Sequence, residues 1–83
     1  MRAKAQSSEF RLVSADLTRR LRECEREIGD FELKYRMAFA EFAAAWESDE
    51  IPDKWSHQVE RDYMVWEGLE AEKRRWKGIM EAL

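Results

Sequence analysis

Few side chains in this sequence have the chemistry of a catalytic or metal-binding group, and those few are scattered. The sole histidine, His57, and the sole cysteine, Cys24, lie far apart along the chain, without the close spacing of a zinc site. No Gly-rich phosphate loop or nucleophile elbow accompanies them. We therefore predict a protein that is not an enzyme and holds neither a metal ion nor a cofactor. The expected roles are a solvated histidine at a helix start for His57 and a small buried thiol for Cys24.

The composition predicts long helices. Of the 83 residues, 45% are hydrophobic and 40% are charged, with three Gly and one Pro. This balance is too apolar for a disordered chain and too poor in turn residues for a β-sandwich. A net charge of −3 and the lack of a long apolar run predict no general attraction to nucleic acid and no membrane span. We expect one domain, residues 1–83, in the cytoplasm.

One apolar stripe predicts a long first helix over residues 8–47, after a flexible segment over residues 1–7. Steps of three and four residues along the stripe average to the turn of a straight α-helix. The stripe consists of Phe10, Val13, Leu17, Leu21, Cys24, Ile28, Phe31, Tyr35, Phe39, Phe42 and Trp46.

The stretch SDEIPD, residues 48–53, ends this pattern because Pro52 cannot sit inside a helix. A second helix is expected over residues 54–82. Two long amphipathic helices joined by a short turn favour an all-α fold, an antiparallel two-helix hairpin. The expected contacts are Trp46 with Trp55, Phe42 with Val59, Tyr35 with Trp66, Phe31 with Leu69, Cys24 with Trp76, Leu21 with Met80 and Leu17 with Leu83.

Two charged residues interrupt the apolar seam of the second helix. The expected pairing places Asp62 opposite Phe39 and Lys73 opposite Ile28. Polar residues at seam positions fix the register of packed helices in some proteins. In others they contact the charges of a partner across an open face. The sequence leaves both roles open.

The start of the first helix extends beyond the end of the second in this pairing. Phe10, Leu12 and Val13 then have no apolar partner within the chain. Two packed helices also cover only one side of each other, and uncovered apolar side chains favour association. We therefore expect a homo-oligomer, most simply a symmetric dimer that closes a four-helix bundle.

Basic residues gather at one end of the expected hairpin, and acidic residues alternate with them. Arg19, Arg22 and Arg26 are interleaved with Glu23 and Glu25. Such alternation is typical of a solvated helix face stabilised by pairs three and four residues apart. We expect no direct binding to nucleic acid, because a nucleic-acid site would carry the basic residues without the acidic ones.

Three stretches, LRECEREIGDFELKYRMAFAEFAAAWE, SDEIPD and RDYMVWEGLEA, resemble a family of short helical proteins of archaea and bacteria. Members of this family are similar to the antitoxin half of toxin–antitoxin pairs, and their pattern is close to E-K-Y-G-M-S-F-E-E-F … W-E … D-Y … W-E-G. The likeness covers about residues 21–72. The matching positions are Tyr35, Met37, Phe39, Glu41, Phe42, Trp46, Glu47, Asp62, Tyr63, Trp66, Glu67 and Gly68.

The sequence departs from the family pattern at Arg36 and Ala38, where the family has Gly and Ser. Gly and Ser at this spacing would end one helix and cap the next. Arg36 and Ala38 are helix formers and the apolar period runs through them, so the residues favour a continuous first helix. A bend near Arg36, or the three helices that the family pattern implies, stays open.

The resemblance implies a non-enzymatic protein-interaction module of the cytoplasm, antitoxin-like, that binds and occludes a small, toxin-like partner protein. An amphipathic aromatic helix face would supply the contacts. The alternative is a structural coiled-coil homo-oligomer that has no partner but itself. The residues expected to contact a partner are Phe10, Leu12, Val13, Met37, Phe39, Tyr63, Met64 and Val65.

Overall fold

Three α-helices make up the computed structural model: α1 (Arg2–Tyr35), α2 (Phe39–Glu47) and α3 (His57–Ala82). The structure describes the backbone of residues 2–83 and the side chains of residues 11–83. Over that range the chain is all-α, as the composition predicts. It is also elongated, with dimensions of 60 × 19 × 17 Å. None of the helices described is long and apolar enough to cross a bilayer.

Helices α1 and α3 pack against each other in opposite directions. Arg20 lies over the ring of Trp76 near one end of the contact, and Phe31 stacks on Trp66 towards the other. The Cys24 thiol bonds to Glu72 and Arg20 lies over Trp76, so the register at this end differs from the prediction by about one helical turn, although Trp76 still packs against the cluster that contains Cys24. The predicted register assumed two straight helices joined by one turn, whereas the structure has α2 between α1 and α3.

The first helix ends at Tyr35, so the prediction of one continuous helix over residues 8–47 is wrong. Arg36 adopts a left-handed φ of 58°. Ala38 then precedes α2 with an extended backbone, φ −76° and ψ 160°, and makes no side-chain cap. Arg and Ala both favour helix. Local propensity therefore does not cause the break.

Packing on Trp66 accounts for the break. The rings of Tyr35 and Phe42 lie 4.5 Å apart. In a straight helix the same two residues would be separated by about 10 Å along the axis. Because the chain turns after Tyr35, Phe42 also reaches Trp66, at a centroid distance of 5.0 Å. Burial of these rings offsets the cost of the left-handed Arg36.

The helix ends also differ from those expected. The backbone of α1 is helical from Arg2, whereas the sequence predicts a start at residue 8; the residues RAKAQ that open the helix all favour helix. Helix α3 starts at His57 rather than at residue 54, because Ser56 caps it. The Ser56 Oγ accepts a hydrogen bond from the Val59 N–H at 3.3 Å. The connection between α2 and α3 is therefore longer than residues 48–53.

The buried side chains form a small core between the three helices and the connection. Ile51, in the connection after α2, is 7% exposed and holds this segment against the helices. The core cluster consists of Cys24, Ile28, Phe42, Ile51, Trp66 and Leu69. Leu17, further towards the start of α1, is also buried.

Replacing Arg36 with Gly should stabilise the protein by about 1 kcal/mol, because glycine adopts a left-handed φ without the steric cost that other residues bear.

Ala38→Ser should stabilise the protein by about the same amount, because a serine hydroxyl at this position accepts a hydrogen bond from the first turn of α2. Urea unfolding followed by tryptophan fluorescence measures both changes in the free energy of unfolding.

Arg36→Ala is the matched control, since it removes the same charged side chain but keeps the β-carbon. It should leave the free energy of unfolding unchanged or lower it. An equal gain from Arg36→Gly and Arg36→Ala would show that the charge, rather than the backbone conformation, limits stability at this position.

Candidate functional site: exposed surfaces around an aromatic core

Trp66 is the centre of an aromatic cluster. Its side chain is 0% exposed, and its ring contacts four others at centroid distances from 5.0 to 5.8 Å. The predicted contact of Tyr35 with Trp66 is confirmed, as is that of Trp46 with Trp55. Among the described atoms, the Trp66 Nε1–H finds no hydrogen-bond acceptor. The rings around Trp66 are those of Phe31, Tyr35, Phe39 and Phe42.

Three residues that were expected to contact a partner pack against this core instead, namely Met37, Phe39 and Tyr63. Phe39 lies edge-on to Trp66 at 5.4 Å and 5.6 Å from Tyr63, so its expected position opposite Asp62 is wrong. Met37 is half-buried and packs on the same cluster. The break after Tyr35 explains the difference, because it turns the aromatic residues of α2 towards α3.

Asp62 joins the end of α1 to the start of α3. Its Oδ2 accepts hydrogen bonds from the Tyr35 hydroxyl and from the Lys34 ammonium, each at 2.5 Å. The Asp62 side chain is 15% exposed. These contacts lie within the chain and fix the position of α3 along α1, which agrees with the register role left open by the sequence.

The Tyr35–Asp62 contact shifts the pKa values of both groups. Burial raises the pKa of the Asp62 carboxyl, but the hydrogen bonds from Lys34 and Tyr35 outweigh burial and hold that pKa below 3.8. Burial and the hydrogen bond to Asp62 raise the pKa of the Tyr35 hydroxyl well above its usual range. The ionised carboxylate and the neutral phenol are therefore the forms that the fold favours.

Lys54 holds the connection onto the end of α2, a role that the sequence reading missed. Its ammonium donates to the Trp46 carbonyl oxygen at 2.6 Å and to Asp49 Oδ1 at 2.7 Å. It also lies 5.2 Å from the ring centroid of Trp46 and 5.0 Å from that of Trp55. The side chain is only 11% exposed. No local sequence pattern predicts this site, because Trp46 reaches Lys54 only after the chain has turned.

Two groups of neighbouring residues stand out among the exposed apolar side chains, which also include Leu33, Trp55, Ile79 and Leu83. On α3, Met64 is 70% and Val65 46% exposed, and they line a shallow depression with His57, Glu60 and Arg61; we call this surface the α3 patch. On α1, Leu12 is 73% and Val13 47% exposed. The side chain of Phe10, expected beside them, lies outside the described residues.

The two groups do not form one surface. Lys34 contacts Asp62, so Met64 lies near the level of Leu33 on α1. About 20 residues of α1 separate that level from Val13, a distance of about 30 Å. Met64 also lies about 160° around α3 from Trp66, so the α3 patch faces away from the core. Leu12 and Val13 therefore cannot share one small binding site with Met64 and Val65.

A groove opens where the three helices meet, and we call it the hinge groove. Its volume is about 640 Å³, and the half-buried Met37 and Val59 and the buried Ile51 supply apolar lining. The exposed acidic residues Glu50 and Asp53 also line it. The remaining lining residues are Lys34, Tyr35, Ala45, Pro52 and Gln58.

The residues considered for chemistry lie apart in the structure. Cys24 is 4% exposed and its thiol donates to Glu72 Oε2 at 3.3 Å. Burial and this hydrogen bond raise the pKa of the Cys24 thiol to about 11, so the reactive thiolate is disfavoured. His57 is the exposed first residue of α3. Within the described part of the chain, no three His, Cys, Asp or Glu residues group as metal ligands.

Comparison of the chain with protein-family models, with curated proteins and with solved structures found no match.

Asp62→Asn should destabilise the protein by about 1–2 kcal/mol at pH 7, because it removes the charge that Lys34 and Tyr35 bind. Since folding lowers the pKa of Asp62, its carboxylate stabilises the fold above about pH 4 and loses this effect as the pH falls through the lowered pKa. Urea unfolding between pH 7 and pH 3 should show the gap between wild type and variant closing in acid.

Asp16→Asn is the control for this measurement. Asp16 pairs with Arg19 and Arg20 on the exposed face of α1, and all three residues belong to that helix. The change should be much smaller than that of Asp62→Asn, because exposed pairs contribute little. A gap between wild type and Asp62→Asn that stays constant down to pH 3 would contradict the assigned role of the carboxylate.

Lys54→Met should lower the free energy of unfolding by about 2 kcal/mol, because it keeps the aliphatic stem but removes two hydrogen bonds and the charge over two indole rings. Chemical unfolding monitored by far-ultraviolet circular dichroism measures the loss. Lys77→Met, on an exposed part of α3, is the matched control and should change stability little. Equal effects of the two substitutions would refute the role given to Lys54.

Proposed function

We propose that the chain is a protein-interaction module that binds and occludes a small partner protein, in the manner of an antitoxin. The α3 patch is the surface that contacts the partner. The chain acts by covering its partner and contributes no catalytic group. The proposal includes a cytoplasmic location and applies to a hairpin-like unit of the three helices.

The single observation that carries this proposal is the amount of surface that the chain leaves uncovered. Its accessible surface is 6549 Å² for a mass of 10.0 kDa. Compact folded monomers of that mass expose about 5,200 Å², so the excess is about 1,300 Å². The radius of gyration, 17.2 Å, exceeds the value of about 12 Å expected for a compact domain of this length. A surface excess of this size is larger than the area of about 800 Å² that one partner buries in a stable complex, so it is sufficient for such a contact.

The α3 patch has the features of an anchoring surface. Met64 is flexible and apolar, and Val65 beside it adds a rigid apolar contact. His57, Glu60 and Arg61 surround them with polar groups. An apolar centre within a polar rim is the usual arrangement of protein–protein contacts.

The helix break supports the family resemblance from which the antitoxin-like function comes. Arg36 has the left-handed backbone that Gly favours, and Ala38 has the extended backbone of a capping position. The family pattern has Gly and Ser at these two places. The geometry is thus the one that the family residues would stabilise, although Arg36 and Ala38 themselves favour helix.

The alternative, a structural homo-oligomer closing a four-helix bundle, draws on the same surface excess. It would cover the exposed side chains with further copies of the chain rather than with another protein. In the proposed function another protein buries the α3 patch, whereas in the alternative a further copy of the chain buries it.

The test is a comparison of tagged wild-type chain with Met64→Asp/Val65→Asp, both expressed in the source organism. Wild type should retain one small protein in about equal amount, and the double variant should lose it, because two buried carboxylates oppose binding at an apolar centre. Quantitative mass spectrometry of the purified material gives the ratio. Both substituted side chains are exposed, so the melting curves should match.

Leu33→Asp is the control, since Leu33 is 79% exposed and lies on α1, outside the α3 patch. It should retain the partner. Recovery of the chain alone would contradict the proposal and favour the homo-oligomer. Equal retention by wild type and the double variant would show that the α3 patch is not the binding surface.

A further inference from the structure

We propose that the start of α1 docks into the hinge groove of a second copy of this chain, and that two copies do so reciprocally. The result is a closed antiparallel dimer held at both ends. This inference concerns a different surface from the α3 patch and does not depend on the proposed partner protein.

The first half of the contact is the part of α1 that extends beyond α3, which we call the overhang. Arg20 lies over Trp76, and α3 ends at Ala82, so the end of α3 is roughly level with Ser14. The residues of α1 before that point project by about 18 Å. Within the described side chains, this segment presents the exposed apolar Leu12 and Val13.

The second half is the hinge groove, whose properties complement the overhang. Its apolar lining residues, including Met37 and Val59, are only half-buried within one copy. Its acidic residues Glu50 and Asp53 are exposed. Among the described residues that line the groove, Lys34 is the one cation, and it is bound to Asp62. The groove therefore fits an apolar segment that carries positive charge.

The overhang carries that charge. Arg11 is exposed next to Leu12, and the sequence before it contains more basic than acidic residues. Apolar side chains would enter the groove while Arg11 approaches Glu50 and Asp53. Complementary charges of this kind orient two surfaces and oppose the reversed arrangement, which would place like charges together.

The positions of the two surfaces allow the contact to form twice. The overhang and the hinge groove lie at opposite ends of a molecule 60 Å long. When two such molecules lie side by side in opposite directions, each overhang is next to the other copy's groove. A two-fold axis then relates two equal contacts and the assembly closes, whereas one-sided docking would continue into a filament.

This arrangement also leaves the α3 patch available. The groove receives Gln58 and Val59 from α3, whereas the α3 patch contains Met64 and lies on the side of α3 away from the core. A dimer of this kind could therefore bind a separate partner on each copy. The dimer is tested on the purified chain alone, so its absence would not affect the proposed partner contact. The absence of a partner would likewise not affect the proposed dimer.

The test uses two charge reversals, Arg11→Glu in the overhang and Glu50→Lys in the groove, and sedimentation equilibrium of each purified chain. Wild type should be a dimer whose dissociation constant rises between 0.1 and 1 M salt, because the contacts between charges are screened at an ionic strength on the order of 1 M. Each variant alone should raise the dissociation constant about tenfold or more, because both copies then place like charges together.

An equimolar mixture of the two variants decides between the reciprocal contact and other dimers. In the mixed dimer each contact again pairs opposite charges, so the dissociation constant should return to within about threefold of wild type. Glu41→Lys, an exposed reversal on α2 outside the groove, is the control and should dimerise as wild type does. Circular dichroism of every chain verifies the fold.

Two results would overturn the inference. A wild-type chain that remains monomeric at high concentration would exclude the dimer. A dimer that persists unchanged in Arg11→Glu and in Glu50→Lys, or a mixture that fails to restore it, would show that the copies associate through other surfaces.

Discussion

The packing of one indole, that of Trp66, determines the path of the chain. Four rings contact it from α1 and α2, with Phe31 and Phe42 among them. In a single straight helix these two residues would be about 16 Å apart along the axis, too far for both to contact one ring. The chain therefore breaks between them. The left-handed Arg36 is the local cost of bringing the aromatic residues together.

Polar contacts then fix the two sides of this aromatic cluster. Asp62 binds Tyr35 and Lys34, which sets α3 along the end of α1. Lys54 binds the last turn of α2 and lies against two indole rings, which sets the connection. Aromatic burial is strong but weakly directional, so it brings the helices together without choosing their alignment. Charge-assisted hydrogen bonds supply the alignment.

The helical class could be predicted from the composition and from the spacing of apolar residues. The helix break near Arg36 could not, because it depends on contacts between residues that are distant in the sequence. The apolar stripe identifies the helical class and the antiparallel contact between Tyr35 and Trp66. The same stripe runs through Arg36 without interruption, so it gives no sign of a break that ring packing imposes from α3. Phe39 was assigned to a partner surface because the expected pairing placed it opposite Asp62, and Tyr63 because it lies off the seam of the second helix. Only the family pattern, with Gly and Ser at the break, indicated three helices.

The small core and the long shape together explain why surface remains to be covered. Aromatic packing concentrates burial near Trp66, whereas among the described side chains of α1, from residue 11 on, Leu17 and Cys24 are the only buried ones before Ile28. The exposed apolar side chains include two separated groups, Met64 and Val65 on α3 and Leu12 and Val13 near the start of α1. Because these two groups lie about 30 Å apart, the proposed partner contact and the proposed dimer contact use different surfaces of the chain.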